Sequence, residues 1–184
     1  MWEELREWLM WIALNYGYPG ALIISILGNF LPFIPIPYLV AVYYMAAYLP
    51  VEPIILGVVS GLGGAIGKSV IYGIGVEGRR IILNEERINQ MEKFKEMLGK
   101  YGAIAVFLVT VTPAPDDIVI IPLGLIKYSF IKFFIATFLG KTMLSIAIAL
   151  FGRYFTEYLN TILGEGSIYG IIISIIILAL TTWV

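Results

Sequence analysis

An all-α polytopic membrane protein is the fold class that the sequence predicts, on three observations. Of 184 residues, 60% are hydrophobic and only 14% charged, and the mean hydropathy is +0.91. A soluble domain is nearer half apolar and a quarter charged. Long apolar runs recur, and at about 20 residues per crossing they allow about four to six membrane segments in one domain covering 1–184. Two of these runs are broken by prolines. Such breaks survive at membrane depth only where protein or a wet cavity satisfies the freed backbone groups. The expected architecture is an inverted repeat of a re-entrant, proline-broken hairpin plus a spanning helix, preceded by an amphipathic N-terminal helix.

Composition also excludes several chemistries. Cys and His are absent, which removes disulfides, thiolate nucleophiles, Cys/His metal sites and imidazole acid–base work. No metal and no cofactor is expected, and proton handling falls to carboxylates helped by Lys or Tyr. A net charge of −1 gives no reason to expect a nucleic-acid partner.

Taken in order, the chain opens on MWEELREWLMWIAL. Its acidic first turns and lack of an A-x-A-like site are unlike a secretory signal, and Trp2, Trp8 and Trp11 suit the headgroup level. The stretch from Asn15 to Gly20 breaks this helix, and an inserted helix is expected from Pro19. A second break follows at 28–37, with Pro32, Pro35 and Pro37 in apolar surroundings. It reads as a re-entrant hairpin, or as a Pro-rich loop outside the membrane that would expose Phe30, Leu31, Phe33, Ile34 and Ile36 to water.

A spanning helix is predicted over 51–76. Gly57/Gly61 and Gly63/Gly67 each fit G-x-x-x-G, with Gly64 beside them, a close-packing signature in membranes. This glycine face packs either within the chain or against another copy, so a homo-oligomer is open. At 100° per residue Lys68 lies about 20° from Gly57 and about 40° from Gly64, on the small-residue face. Gly67-Lys68-Ser69 resembles the end of a P-loop, but Leu62 stands where glycine is required and no strand precedes it.

Residues 77–101 form the one strongly polar segment. Asn84 can cap an amphipathic helix carrying Ile88, Met91, Phe94, Leu98 and Tyr101 at helical spacing. Arg79, Arg80, Arg87, Lys93, Lys95 and Lys100 place this loop on the cytoplasmic side by the positive-inside bias, in an integral protein of the plasma membrane.

The next apolar run, from Gly102, enters FLVTVTPAPDDIVIIPLGLIKYS, where Pro113, Pro115, Asp116, Asp117 and Pro122 interrupt it. A helix is then predicted over 130–151, with Thr137, Lys141, Ser145, Ile148 and Gly152 within about 80° of one another. A polar connection over 153–167 leads to a final span at 168–184.

The halves echo each other, as repeat 1 (about 19–80) and repeat 2 (about 102–153) around a linker at 81–101. Pro35-x-Pro37 matches Pro113-x-Pro115, Gly67-Lys68-Ser69 matches Gly140-Lys141-Thr142, and Gly78-Arg79 matches Gly152-Arg153. Opposite topology of two such halves is the architecture of many secondary transporters, with the site where the hairpin tips meet. There Asp116 and Asp117 supply negative charge, Lys68 and Lys141 are their expected partners, and one carboxyl is a candidate proton carrier. Two plainer readings stand beside this one. Asp116 caps the following helix with both carboxylates at the surface, and the lysines snorkel to headgroups.

With these residues in view, the chain from about Tyr18 to Trp183 resembles the DedA family, also called the VTT or SNARE-associated family. The first motif appears as Gly28-Asn29-Phe30-Leu31-Pro32-Phe33-Ile34-Pro35. The second appears as Thr112-Pro113-Ala114-Pro115-Asp116-Asp117, then Pro122-Leu123-Gly124; Tyr128-Ser129-Phe130, Phe133 and Gly140-Lys141 also fit. The family's first-motif glutamates are missing, with Gly28 and Pro37 near their places, and Asp116/Asp117 replace its second-motif arginine. The resemblance implies a non-enzymatic carrier of membrane lipid between leaflets, a polyprenyl phosphate or a phospholipid, in some members proton-coupled. An anionic headgroup would then be met by Lys68, Lys141 or Arg153, whereas a cationic or zwitterionic headgroup, or a small cation, fits the Asp116/Asp117 pair more directly. An ion-coupled small-molecule transporter and a non-transporting scaffold are the alternatives.

Overall fold

The computed structural model describes residues 2–31, 38–82, 95, 96, 98, 99 and 101–163. The expectations for Pro32, Pro35 and Pro37, for most of the polar linker and for a span at 168–184 lie outside them. The described residues form six helices and no strand: α1 (Trp2–Phe30), α2 (Tyr38–Tyr48), α3 (Pro53–Ile82), α4 (Gly102–Thr110), α5 (Asp117–Leu125) and α6 (Phe130–Leu163).

Two of them, over Pro53–Arg79 and Phe130–Ile162, are long and apolar enough to cross a membrane. The others are cut short by the residues the sequence singles out. Gly17 takes φ 56, ψ −128, a left-handed kink that divides α1 two residues before Pro19. The turn carrying Pro113 and Pro115 separates α4 from α5. Pro122, expected to break the chain, instead lies inside α5, which continues through it to Leu125. The helix gives up only the bond that residue would have made to the Ile118 carbonyl. The polar connection expected after Arg153 is likewise helical, since α6 runs on to Leu163. At 1.5 Å per residue, α2 is about 16 Å long and α4 and α5 about 13 Å each, roughly half the hydrocarbon thickness.

Glycines set how these helices meet. A Cβ on Gly57 would strike Ile146, one on Gly61 would strike Thr142, and one on Gly64 would press on Lys141. Rising numbers on α3 thus meet falling numbers on α6, so these two long helices run antiparallel. The second glycine pair serves a different neighbour: Gly63 abuts Leu22 and Ser25, and Gly67 abuts Ile26 and Asn29, laying α1 beside α3 in the same sense. On α6, Gly140 abuts Phe107 and Thr110 toward the end of α4, and Gly102 at the start of α4 abuts Tyr128 just before α6, again in the same sense.

The returning helices cross over to the other partner. Gly75 and Gly124 abut each other, seating α5 on α3, while Gly152 abuts Tyr43, seating α2 on α6. Each crossed helix is tied at its C-terminal end by an arginine. Arg79 donates to the Leu125 carbonyl at 3.3 Å. Arg153 donates to the carbonyls of Ala46 (2.6 Å), Leu49 (3.0 Å) and Val51 (2.6 Å). Ala46 and Leu125 lie in the last turns of α2 and α5, where a helix leaves carbonyls unsatisfied at the negative end of its dipole; Leu49 and Val51 follow α2, and the Leu49 carbonyl also accepts from the Val51 N–H at 2.8 Å.

Two buried apolar clusters flank the crossing. One joins α1, α2, α3 and α6 around Ile24, Val42, Met45 and Leu56; the other joins α3 to α6 around Ile71, Val106, Ile120 and Phe133. Outward, α6 exposes Ile131, Ile135, Leu139 and Met143 in a four-residue stripe, an arrangement suited to lipid rather than water.

Gly61→Val should force α3 off the Thr142 backbone, lowering stability by about 1–3 kcal/mol or preventing folding. Gly73 meets nothing within 4 Å, so Gly73→Ala should be neutral or stabilise by about 0.5–1 kcal/mol. Thermal unfolding of the two variants in detergent checks the contrast.

Candidate functional site

Lys68 lies midway along α3, about 22 Å from its start and about 21 Å from its end. An ammonium there cannot reach either headgroup region, so it needs a partner inside the bundle. The bundle supplies one because Gly64 and Gly61 bring α6 close, and Lys141 lies next to that seam. The break before α5 delivers the counter-charges. Asp116 stands at the N-cap position and Asp117 in the first helical turn, where the positive end of the helix dipole favours carboxylates.

The four charges form one chain. Lys68 Nζ donates to Asp117 Oδ1 at 2.5 Å and sits 2.8 Å from Asp116 Oδ1. Lys141 Nζ lies 2.7 Å from Asp116 Oδ2. That last contact is an ion pair without hydrogen-bond alignment, since Asp116 Oδ2 makes none. The order is Asp117–Lys68–Asp116–Lys141, with no net charge. Exposure is 2% for Asp116, 4% for Lys141 and 5% for Lys68 and Asp117.

Those values decide against both plainer readings of the sequence. Asp116 occupies a cap position but makes no side-chain cap bond, and its carboxylate points into the bundle. Neither lysine snorkels. An isolated buried ion costs several kcal/mol, and alternating opposite charges within 3 Å offset that cost.

Of the sequence candidates, Asp116, Asp117, Lys68 and Lys141 come together, with Pro113 and Pro115 shaping the turn that carries the acids. Arg153 does not join them. It lies twelve residues beyond Lys141 on α6, about 18 Å along the axis, and its guanidinium is committed to the end of α2. Gly57, Gly61 and Gly64 act as the seam that makes the meeting possible.

Two neighbours are missing from the sequence candidates. Tyr38, the first residue of α2, places its ring 6.0 Å from Lys141 Nζ. Asn29, near the end of α1, packs by Gly64 and donates to the Ser25 carbonyl at 2.9 Å. Both flank the first proline-rich break, as the acids follow the second, and that shared position is the signal that would have singled them out.

The model of the VTT domain family matches residues 34–154, from the first break to just past Arg153. No curated protein and no solved structure matches the chain.

Lys68→Met leaves Asp117 without the ammonium that bonds it and should lower stability by about 3–5 kcal/mol. Adding Asp117→Leu to Lys68→Met should recover part of that loss, because the carboxylate that lost its ammonium is gone. A cycle of thermal unfolding on the single and double variants measures the coupling, and simple additivity would contradict the network.

Proposed function

The chain belongs to the VTT-domain family, the membrane-associated DedA or SNARE-associated group, and on that premise we propose that it moves lipid between leaflets. The observation that carries this reading is the neutral, four-membered ion network at mid-length of two helices fit to span a membrane. Charge is placed there at a cost that packing alone does not require.

The proposal includes an inverted repeat. In each half a short helix runs beside that half's long helix in the same sense, α1 on α3 and α4 on α6. The returning helix, α2 or α5, then packs on the opposite long helix and is tied there by the opposite arginine. Because α3 and α6 run antiparallel, the two pairs would enter from opposite faces, in keeping with Asn29 near the end of α1 and Tyr38 at the start of α2 lying beside the network that Asp116 and Asp117 join from the start of α5. This pattern supports two re-entrant hairpins related by a two-fold axis in the membrane plane.

The charge balance supplies a mechanism. With both acids ionised the site is neutral and closed on itself. A proton on Asp117 or Asp116 cancels one carboxylate and leaves an ammonium, on Lys68 or Lys141, free to take an anionic headgroup such as a polyprenyl phosphate or a phospholipid phosphate. Proton and anion then travel together, and release of both restores the neutral network. Arg153 is withdrawn from this site, being engaged elsewhere. A plasma-membrane location with 77–101 in the cytoplasm belongs to the same proposal, as does the absence of catalysis.

Leaflet exchange of labelled polyprenyl phosphate and phospholipid in proteoliposomes, with and without a pH gradient, tests this reading. Wild type should exchange lipid, and Lys68→Met should reduce exchange by about tenfold or more, as expected for losing one partner of a charge-assisted contact. Asp117→Asn should abolish the response to the gradient. Folded protein that exchanges neither lipid would overturn the lipid reading and direct attention to soluble ions and small molecules.

A further inference from the structure

Three sides of α3 are covered by other helices, and a fourth is bare near its end. Gly61 faces α6, Gly67 faces α1 and Gly75 faces α5. Gly73 lies about 120° around the helix from the first two and about 160° from the third. A Cβ placed on it would meet nothing within 4 Å. The side is bare because α1 stops short. Gly67 abuts Asn29, and α1 ends one residue later at Phe30. Past that level Val70, Ile74 and Glu77 are exposed along the track that α1 followed.

An open groove of about 810 Å³ occupies this place. Gly73 is its floor. Tyr72, Val76 and Phe130, the first residue of α6, stand on one side, and Val70 and Ile74 on the other. From Ser69 to Gly78 it runs about 14 Å along the axis, close to the depth of one leaflet's hydrocarbon. Its hydroxyls are engaged elsewhere. Ser69 donates to the Ala65 carbonyl at 2.8 Å, and Tyr72 donates to the Tyr128 carbonyl. What the groove offers along its length is therefore apolar. Glu77 ends it, and among the described residues that carboxylate makes no ion pair.

A cation flanks the other side. The end of α5 closes with the Tyr128 N–H on the Leu123 carbonyl at 3.0 Å and the Lys127 N–H on the Gly124 carbonyl at 2.9 Å. Glycine is the usual residue at the position that Lys127 takes in this turn. Lys127 adopts the left-handed conformation there, with φ 48, at a cost in backbone strain that glycine would not incur. Its side chain is exposed. In the antiparallel register set by Gly57 with Ile146 and Gly61 with Thr142, Phe130 stands level with Gly73. The turn carrying Lys127 thus lies toward the membrane face at which α3 ends, as Glu77 does.

We propose that this groove binds a phospholipid with a primary-amine headgroup, one chain lying along Gly73, the ammonium on Glu77 and the phosphate toward Lys127. The groove lies within the apolar span Pro53–Arg79, where hydrocarbon chains are the surrounding solvent. Charge complementarity selects among headgroups. An anionic one sets its charge against Glu77, and a quaternary ammonium has no N–H to donate to a carboxylate, whereas a primary ammonium has three. A second copy paired here about a two-fold axis along the membrane normal would bring two Glu77 carboxylates together in an apolar interface, which is costly. Gly73 is about 140° around α3 from Lys68, so the site is turned away from the ion network. It goes beyond the proposed transport and does not rest on it.

Native mass spectrometry of the intact chain tests this, after delipidation in detergent and addition of phosphatidylethanolamine, phosphatidylcholine and phosphatidylglycerol in equal amounts. Wild type should retain a single phosphatidylethanolamine at least about tenfold over the other two, the ratio expected of one charge-assisted contact. Glu77→Gln should level the three lipids. Lys127→Gly suits the backbone of its turn, so it should keep the fold and weaken retention of all three. Gly73→Leu fills the floor of the groove where space is open, and it should fold and retain none. Equal retention of the three lipids by wild type would overturn the proposal. So would retention by Gly73→Leu that matches wild type, the result expected if lipid sits elsewhere or another part of the chain covers the groove. A dimer that Gly73→Leu dissociates would also overturn it, giving the groove to a second copy. Should Gly73→Leu fail to fold, Gly73→Val and Glu77→Gln carry the same comparison. Leaflet exchange is not read in this experiment, so either proposal can fail while the other stands.

Discussion

A charge cannot be left alone in hydrocarbon, and this constraint organises the bundle. Two ammonium groups on two long apolar helices require two carboxylates within bonding distance, so α3 and α6 must approach until one short segment can serve both. Glycine makes that approach possible. With any side chain at Gly61 or Gly57 the helices would part, and Lys68 and Lys141 could no longer share Asp116. Close packing and charge neutralisation are therefore one requirement met twice. The seam sets the distance, and the ions hold the register in which the seam closes.

The same constraint explains the short helices. A helix that stops partway through an apolar bundle leaves carbonyls without partners, and hydrocarbon offers none. Arg153 takes up the Ala46 carbonyl in the last turn of α2 and two more in the connection after it, and Arg79 takes one at the end of α5. At the opposite end of α5 the freed N–H groups and the positive dipole lie beside Asp116 and Asp117. A broken element thus creates both the need for charge at its ends and the place where charge is tolerable. Arg153 is anchored for this reason, which is why it cannot also serve as a ligand in the network.

Much of this was legible in the residues because the costs involved are large. Proline pairs, adjacent aspartates and mid-helix lysines in apolar sequence each demand a structural answer, and the burial and pairing of Asp116, Asp117, Lys68 and Lys141 follow from those demands. The paired Gly-Arg sequences were visible too, but not their task, because which carbonyls lack partners depends on which helix end packs beside them. The two glycine pairs on α3 announced close packing without saying against what; facing α6 and α1 respectively is a property of the assembled bundle. Pro122 misled for a physical reason. A proline costs one hydrogen bond, and a helix packed along its length on α3 through Gly75 and Gly124 absorbs that loss. The hydroxyls of Ser25, Ser60 and Ser145 were illegible altogether, since a serine in a helix ordinarily bonds its own backbone and only the fold reveals which do not.

The balance of the network bears on how a headgroup would pass. A site with a standing positive charge would hold a phosphate too well to release it, and a standing negative charge would repel it. Two acids and two lysines in alternation present neither, and in the proposed transport the affinity for an anion would be set by whether one acid carries a proton. Asp116 is the carboxylate that joins the two long helices, since it lies against both Lys68 and Lys141, while Asp117 bonds Lys68. The seam between α3 and α6 rests also on the contacts at Gly57 and Gly61, so under the proposed transport the site could change its charge without losing the packing that positions it.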